Sequence, residues 1–230
     1  MFSVLNMSSV EAGPPTGETD ADRTARARIR DTAIRCFAES GVAATSVRAI
    51  AKAARVSPAL VIHHFGSKDA LRVACDQHVA ALVREQKVTA MAEGPSLDPL
   101  AAFRVYREGP PLLPYLARTL VDGSPHVAEL IDEMVADAVG YLQTGVDAGM
   151  LTPSDHPYGR AAVLTLWSLG ALVLHEHTRR LLDVDLLGDP QAATDYFLPA
   201  LELFGEGLLT RQAYDAIQAS MSHPAREDGS

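Results

Sequence analysis

TSVRAIAKAARVSPALVIHHFGSKDAL, residues 45–71, contains the start and stop signals of two short helices. Thr45 is expected to cap a first helix over roughly 46–53, because a side-chain oxygen at this position satisfies a free backbone N–H. After a tight turn, Ser57 is expected to cap a second helix. Pro58 would take its first helical position, where the missing N–H of proline costs nothing. The stretch therefore predicts two capped helices joined by a turn.

Longer helices flank this pair on both sides. A helix capped by Ser67 is expected to run from Lys68 toward Met91, and another is expected over about 23–41. Two short helices joined by a tight turn form the helix-turn-helix layout, whose second helix enters the major groove of DNA. The pattern over 46–65 therefore predicts binding to double-stranded DNA.

The same residues resemble the TetR family of transcriptional repressors. The resemblance is carried by TSVRAIA at 45–51, by Val56 and Ser57, and by HHFGSKDAL at 63–71, and it covers roughly residues 23–83. It implies a homodimer on a palindromic operator, with C-terminal helices that enclose a ligand pocket. It also implies that a small-molecule effector releases the repressor from DNA.

Charge is distributed unevenly along the chain. The net charge of −9 taken alone argues against nucleic acid as a partner. Residues 23–72 nevertheless contain ten Lys and Arg against three acids, whereas residues 73–230 contain ten Lys and Arg against twenty-two acids. Because phosphate neutralisation needs only local cations, the basic segment could bind DNA while the acidic remainder is repelled from it.

The composition favours an all-α fold. Aromatic residues are only 6% of the chain, and no long stretch alternates apolar and polar residues with period two. Beyond residue 94, helices are expected over about 99–108, 112–121, 125–148, 155–182, 190–208 and 211–221. The predicted organisation is a disordered tail over 1–22, a helix-turn-helix domain over 23–83, an effector-binding and dimerisation domain over 84–221, and a flexible tail over 222–230.

Eleven residues are expected to form the DNA-binding surface. Thr45 and Ser46 place hydroxyls and free N–H groups at a helix start, where the helix dipole favours a phosphate. Arg48 and Lys68 are cations near helix starts, which a phosphate partner would explain, and Lys52 either serves likewise or lies on a solvated face. The resemblance implies that one of two adjacent histidines contacts the DNA backbone while the other packs. The full set is Thr45, Ser46, Arg48, Ser57, Pro58, Ala59, Val61, Ile62, His63, His64 and Lys68.

Three residues depart from the usual family pattern. Ile62 stands where tyrosine is usual, so an apolar contact, for example to a thymine methyl group, replaces a phenolic hydroxyl. Ala59 and Arg55 stand where glycine is common, and Arg55 is expected to adopt a left-handed conformation at a cost of roughly 1 kcal/mol. Since the second helix offers few donors, shape, water and methyl contacts are expected to contribute to specificity.

The C-terminal helices supply candidates for a pocket and an interface. Apolar walls with a few polar groups are typical of ligand sites, and the candidates here are Phe103, Tyr106, Arg118, Met134, Tyr141 and Trp167. The apolar helix expected near 161–182 carries small residues that permit close approach of a second helix. The expected dimer interface consists of Trp167, Gly170, Ala171, Leu174, Tyr196, Phe197, Leu201 and Phe204.

Two other classes of function are alternatives to a DNA-binding regulator. A thiol-based redox sensor would use Cys36 and Cys75, although buried inert thiols are the commoner case. An enzyme with a helical bundle is disfavoured because the chain has no Gly-rich phosphate loop, G-x-S-x-G or H-E-x-x-H motif. The two cysteines form no disulfide framework and no signal peptide is recognisable, so a cytoplasmic location is expected.

No metal, cofactor or membrane partner is expected. Adjacent His63 and His64 point about 100° apart on a helix, and His175 and His177 likewise fail to converge, whereas zinc needs three or four convergent ligands. The longest nearly apolar run, 161–174, is shorter than the ~20 residues of a membrane span.

Overall fold

The computed structural model describes residues 20–94, 110–123, 126–188 and 193–222. All regular elements within these ranges are helices, which confirms the all-α prediction. They are α1 (Asp20–Ala44), α2 (Val47–Ala54), α3 (Pro58–Phe65), α4 (Lys68–Ala92), α5 (Leu112–Val121), α6 (His126–Asp147), α7 (Pro157–Val173), α8 (His175–Leu182), α9 (Ala193–Gly205) and α10 (Arg211–Ser222). The helix expected over 99–108 lies outside the described residues.

The N-terminal helices pack around a continuous apolar core. Ile29 and Phe37 of α1, Ile50 of α2, Val61 of α3 and Leu71 of α4 are all fully or almost fully buried. The same core continues into α5 and α6 through Leu112, Tyr115, Leu116 and Leu130. The helix-turn-helix region and the first part of the C-terminal body therefore share one core.

The helix expected over 155–182 is two helices. α7 ends at Val173, α8 begins at His175, and their axes differ by 77°. No residue of α8 is buried, whereas α7 buries Ala161, Thr165 and Leu169. Contacts with the core therefore fix the direction of α7, whereas no buried side chain fixes the direction of α8.

Among the described helices, none alone is long and apolar enough to cross a membrane. α7 and α8 meet the length and composition of a span only when they are taken together across their bend.

Candidate DNA-binding surface and ligand cavity

Serine side chains begin the three helices of the helix-turn-helix region. The Oγ atoms of Ser46, Ser57 and Ser67 each accept a hydrogen bond from the backbone N–H three residues later, at 3.1, 3.1 and 3.0 Å. Ser46, and not Thr45, is therefore the cap of α2. Thr45 is buried, and its hydroxyl donates to the carbonyl of Gly41 at 2.7 Å. Thr45 thus stabilises the end of α1, and its side chain is not available to a phosphate.

Arg55 forms the turn between α2 and α3. Its φ of 56° and ψ of 47° confirm the predicted left-handed conformation. In this conformation the N–H groups of Arg55 and Val56 donate to the carbonyls of Lys52 and Ala51 at 3.2 and 2.9 Å. The turn satisfies the last carbonyl groups of α2 and sets the angle at which α3 leaves it.

Cations from neighbouring helices fix α2 and α3 in position. Arg28 donates from Nε to the carbonyl of Ala54 at 3.2 Å, and the guanidinium of Arg26 lies 5.2 Å from the ring centre of Phe65. Nζ of Lys68 donates to the carbonyls of Val42 and Thr45 at 2.9 and 3.1 Å. Lys68 thus has partners within the chain, which the argument from the helix dipole overlooked; its contact with DNA stays a prediction.

Most of the expected DNA-binding residues are exposed at the surface of α2, of α3 and of the caps before them. Ser46, Arg48, Ser57, Pro58, Ala59, Ile62 and His63 are exposed. Val61 is only 1% exposed and belongs to the core, so its side chain cannot contact DNA. His64 is half-buried, with its ring 6.4 Å from that of Phe65 in an edge-on arrangement.

This surface carries positive charge without nearby acids in the sequence. No Asp or Glu occurs from Ser40 to Lys68, whereas Arg48, Lys52 and Arg55 are all exposed. Exposed cations on α2 and in the turn before α3 suit a duplex, because the phosphates beside the major groove need neutralisation.

A cavity of about 480 Å³ lies in the C-terminal body. It is bounded by α4, α5, α6, α7 and α9 and by the segment 186–188. Met134, Tyr141 and Trp167, three of the expected pocket residues, line it. Phe103 and Tyr106 lie outside the described residues.

Arg118 is not a lining residue of this cavity. Its guanidinium lies against Gly41 of α1, and its Nε is 3.6 Å from Oδ1 of Asp122. Arg118 is on the last turn of α5, whereas the lining residues of α5, such as Leu112 and Leu116, lie toward the opposite end.

One face of α4 brings charge into the cavity. Ala80, Val83, Arg84 and Lys87 line it at the i, i+3, i+4, i+7 spacing of a single helix face. Nη1 of Arg84 lies 3.4 Å from Oδ1 of Asp137 on α6, and burial lowers the pKa of Lys87. Sequence reasoning missed these two cations, although their spacing on the predicted long helix was the signal that could have found them.

Comparison with known proteins agrees with this arrangement. Residues 29–75 match the family model described as bacterial regulatory proteins, tetR family, and residues 108–210 match the tetracyclin repressor-like C-terminal domain. The HTH-type transcriptional regulatory protein RaaS of Mycobacterium tuberculosis is 41% identical over 204 residues, which cover 86% of this chain and 94% of the relative. This chain belongs to the tetR family of bacterial regulatory proteins.

Two further comparisons agree with this assignment at lower similarity. The HTH-type transcriptional repressor Rv3405c of M. tuberculosis is 35% identical over 127 residues, which cover 51% of this chain and 61% of the relative. A tetR-family transcriptional regulator from Streptomyces coelicolor has the same fold, with a TM-score of 0.56 and 17% identity over 90% of this chain and 92% of that one. The chain is thus a DNA-binding transcriptional regulator.

The residues expected at the dimer interface of this tetR-family regulator fall into two groups. Leu174 and Leu201 are exposed, and Gly170 is half-buried; none of the three lines the cavity. The other five residues line the cavity: Trp167, Ala171, Tyr196, Phe197 and Phe204. The rings of Trp167 and Phe204 are 5.2 Å apart, so α7 and α9 contact each other beside the cavity.

The thiols of this tetR-family regulator are poorly suited to redox sensing. Cys75 is fully buried, and burial raises its pKa far above that of an exposed thiol. Burial and the charge of Glu39 also raise the pKa of Cys36. Because the thiolate is the reactive form, the redox hypothesis is not favoured. Among the described residues, no group of three or more His, Cys, Asp or Glu could hold a metal ion.

Proposed function

We propose that this tetR-family regulator is a repressor that binds a palindromic operator as a homodimer and that a small molecule in the cavity releases it. The observation that carries the proposal is that α4 extends from the helix-turn-helix region to the cavity. Lys68, its first residue, binds carbonyls at the end of α1 and the start of α2, and Arg84 and Lys87 line the cavity. A rise of 1.5 Å per residue places these two regions roughly 25 Å apart on one rigid helix.

A second connection runs through α5. Leu112 at its start lines the cavity, and Oδ2 of Asp122, just after its end, accepts a hydrogen bond from the N–H of Val42 at 3.3 Å. A ligand that displaces α5 would therefore move the end of α1, which is also where Lys68 binds. In a dimer the two α3 helices must lie about one turn of DNA apart, roughly 34 Å, so a small displacement of each head weakens binding.

Unpaired apolar surface supports the homodimer. Leu198, Leu201, Leu203 and Phe204 of α9 are all at least 41% exposed, which is unusual for so many large apolar side chains on one helix of a soluble monomer. We expect Leu201→Glu to convert the dimer to a monomer in analytical ultracentrifugation. The matched control is Val121→Glu, on a side chain that is 65% exposed on α5. A dimer that survives Leu201→Glu would contradict the assignment of this face.

The DNA-binding assignment is tested by the salt dependence of affinity. An operator duplex is first selected from a random-sequence library, and the slope of log affinity against log salt is then measured. Each phosphate contact that is removed should lower this slope by about 1, so Arg48→Ala and Lys52→Ala should each reduce it. Arg180→Ala, on exposed α8, is the control that should leave it unchanged. Unchanged slopes in the first two variants would refute this placement of the DNA-binding surface.

A further inference from the structure

The described lining of the cavity contains more basic side chains than acidic ones. Arg84, Lys87 and Asp137 are the acidic and strongly basic residues among its described lining. Asp137 is already paired with Arg84 at 3.4 Å. No described acidic side chain lies within 4.0 Å of Nζ of Lys87. The described lining of the cavity therefore has one positive charge without a partner.

Lys87 lines the cavity and is itself exposed to solvent. Its side chain retains accessible surface, and burial nevertheless lowers the pKa of its ammonium group. An exposed lysine on a cavity lining has a charge that is available to a ligand that enters the cavity. Partial desolvation of an ammonium is unfavourable unless an opposite charge compensates it, and none of the described side chains supplies one to Lys87.

The remaining lining is mostly apolar. Lys87 is the last of the four α4 residues that line the cavity, so its charge lies toward one end of that face. Leucines, prolines and aromatic rings make up most of the opposite walls, including Leu169, Trp167 and Phe204. The cavity thus combines one charged end with an apolar body.

We propose that the effector is an amphipathic molecule with an apolar body and one acidic head group, and that Lys87 binds that head group. This inference rests on the proposed function, because it assigns a chemical class to the ligand of the same cavity. A cationic ligand would meet a lining of net positive charge, since Asp137 is engaged by Arg84. A neutral ligand would form no ion pair with Lys87, whereas an acidic head group would form a charge-assisted hydrogen bond with its ammonium.

Trp167 allows a direct measurement of binding. It is the single tryptophan of the chain and it lines the cavity, so its fluorescence should report occupancy. The probes are dodecanoic acid, methyl dodecanoate and dodecylamine, each below its aggregation concentration. They share an apolar chain and differ only in the charge of the head. We expect dodecanoic acid to bind more tightly than the ester or the amine.

Variants at position 87 separate charge from packing. Lys87→Met keeps the length of the side chain and removes the charge, and should weaken dodecanoic acid roughly tenfold to a hundredfold while leaving the ester unchanged. Lys87→Arg should retain binding of the acid, and Arg180→Met, an exposed cation on α8, is the matched control. If Lys87→Met proves unstable, Lys87→Gln provides the same comparison.

The outcomes distinguish this inference from the proposed function. Any one of three results would overturn the proposal of an acidic effector. The ester or the amine binds as tightly as the acid, Lys87→Met leaves the affinity for the acid unchanged, or none of the three probes changes the fluorescence. Operator binding by the ligand-free protein is measured separately and is not affected by that result. If the acid binds through Lys87 but does not release the operator, the head-group assignment stands and ligand-controlled release is refuted.

Discussion

The hydroxyl of Tyr115 donates a hydrogen bond of 2.6 Å to Oδ1 of Asp76. Tyr115 is fully buried on α5, and Asp76 is buried on α4, where Nε of Arg72 lies 3.7 Å from its other oxygen. Burial raises the pKa of Asp76, whereas the hydrogen bond from Tyr115 and the charge of Arg72 act in the opposite direction. The pair therefore joins the two helices that connect the cavity with the DNA-binding head.

Tyr115→Phe should destabilise the protein by about 1–3 kcal/mol, because it leaves a buried carboxylate without its closest donor. Urea unfolding at neutral pH measures the loss. Tyr158→Phe is the control, since that side chain is 66% exposed and should change stability little. Equal effects of the two substitutions would show that the buried hydrogen bond contributes nothing.

Arg55→Gly should stabilise the fold by about 1 kcal/mol, because glycine adopts the left-handed conformation of this turn without a Cβ penalty. Arg55→Ala removes the same charge but keeps the Cβ atom, so it should give no such gain. Thermal unfolding of both variants isolates the backbone contribution. A gain shared by the alanine variant would instead assign the effect to charge.

Local signals in the sequence predicted much of the head. Ser57, Pro58 and Ser67 act at helix starts through bonds to residues only a few positions away, and the bounds of α5 agree with the predicted 112–121. The left-handed Arg55 followed from the resemblance, because glycine is common at this position of the turn in the family. These features depend on contacts between residues that are close in the sequence, so the sequence alone predicts them.

Features that depend on tertiary contacts were missed. The partners of Lys68 lie 23 and 26 residues away, and Val61 is buried in a core that it shares with residues of α1, α2 and α4, which the capping pattern does not reveal. The break at Leu174 likewise reflects packing of α7 without packing of α8. The spacing of Arg84 and Lys87 places them on one face of α4, but only the positions of α6 and α7 show that this face lines a cavity.

His78 should make stability depend on pH. Its Nε2 lies 3.8 Å from Oδ1 of Asp31, but burial and the charge of Arg30 together lower the pKa of His78 below its ordinary 6.5, while Asp31 and Glu85 oppose this. The folded state thus favours neutral His78, and its contribution to stability is present above pH 6.5 and is lost as the pH falls through the lowered pKa.

Between about pH 7.5 and about pH 5, the wild-type protein should therefore lose more stability than His78→Gln. Urea unfolding across this range measures the difference, with exposed His63→Gln as the control. Parallel curves for wild type and His78→Gln would contradict the assignment.

Gly41→Ala should destabilise the chain by about 1–3 kcal/mol and weaken operator binding further than that loss explains. Gly41 has a φ of 75°, and an added Cβ would lie 3.0 Å from Nε and Nη2 of Arg118. Arg118→Ala in the same chain should restore part of the stability, because it removes the contact but leaves the backbone strain. A double-mutant cycle gives the coupling between the two positions, and purely additive effects would mean that the contact with Arg118 does not matter.

The expected effect of Gly41→Ala on DNA binding follows from its neighbour. Val42 donates its N–H to Asp122 of the body, and its carbonyl accepts from Lys68 of α4. A shift at Gly41 therefore disturbs both connections between the cavity and the head at one residue. Operator affinity measured well below the unfolding temperature tests this, with Gly66→Ala as a control: Gly66 also has a positive φ, of 76°, but has open space around its Cβ position. If Gly41→Ala bound the operator as tightly as Gly66→Ala, the end of α1 would not be the point at which the cavity acts on the DNA-binding surface.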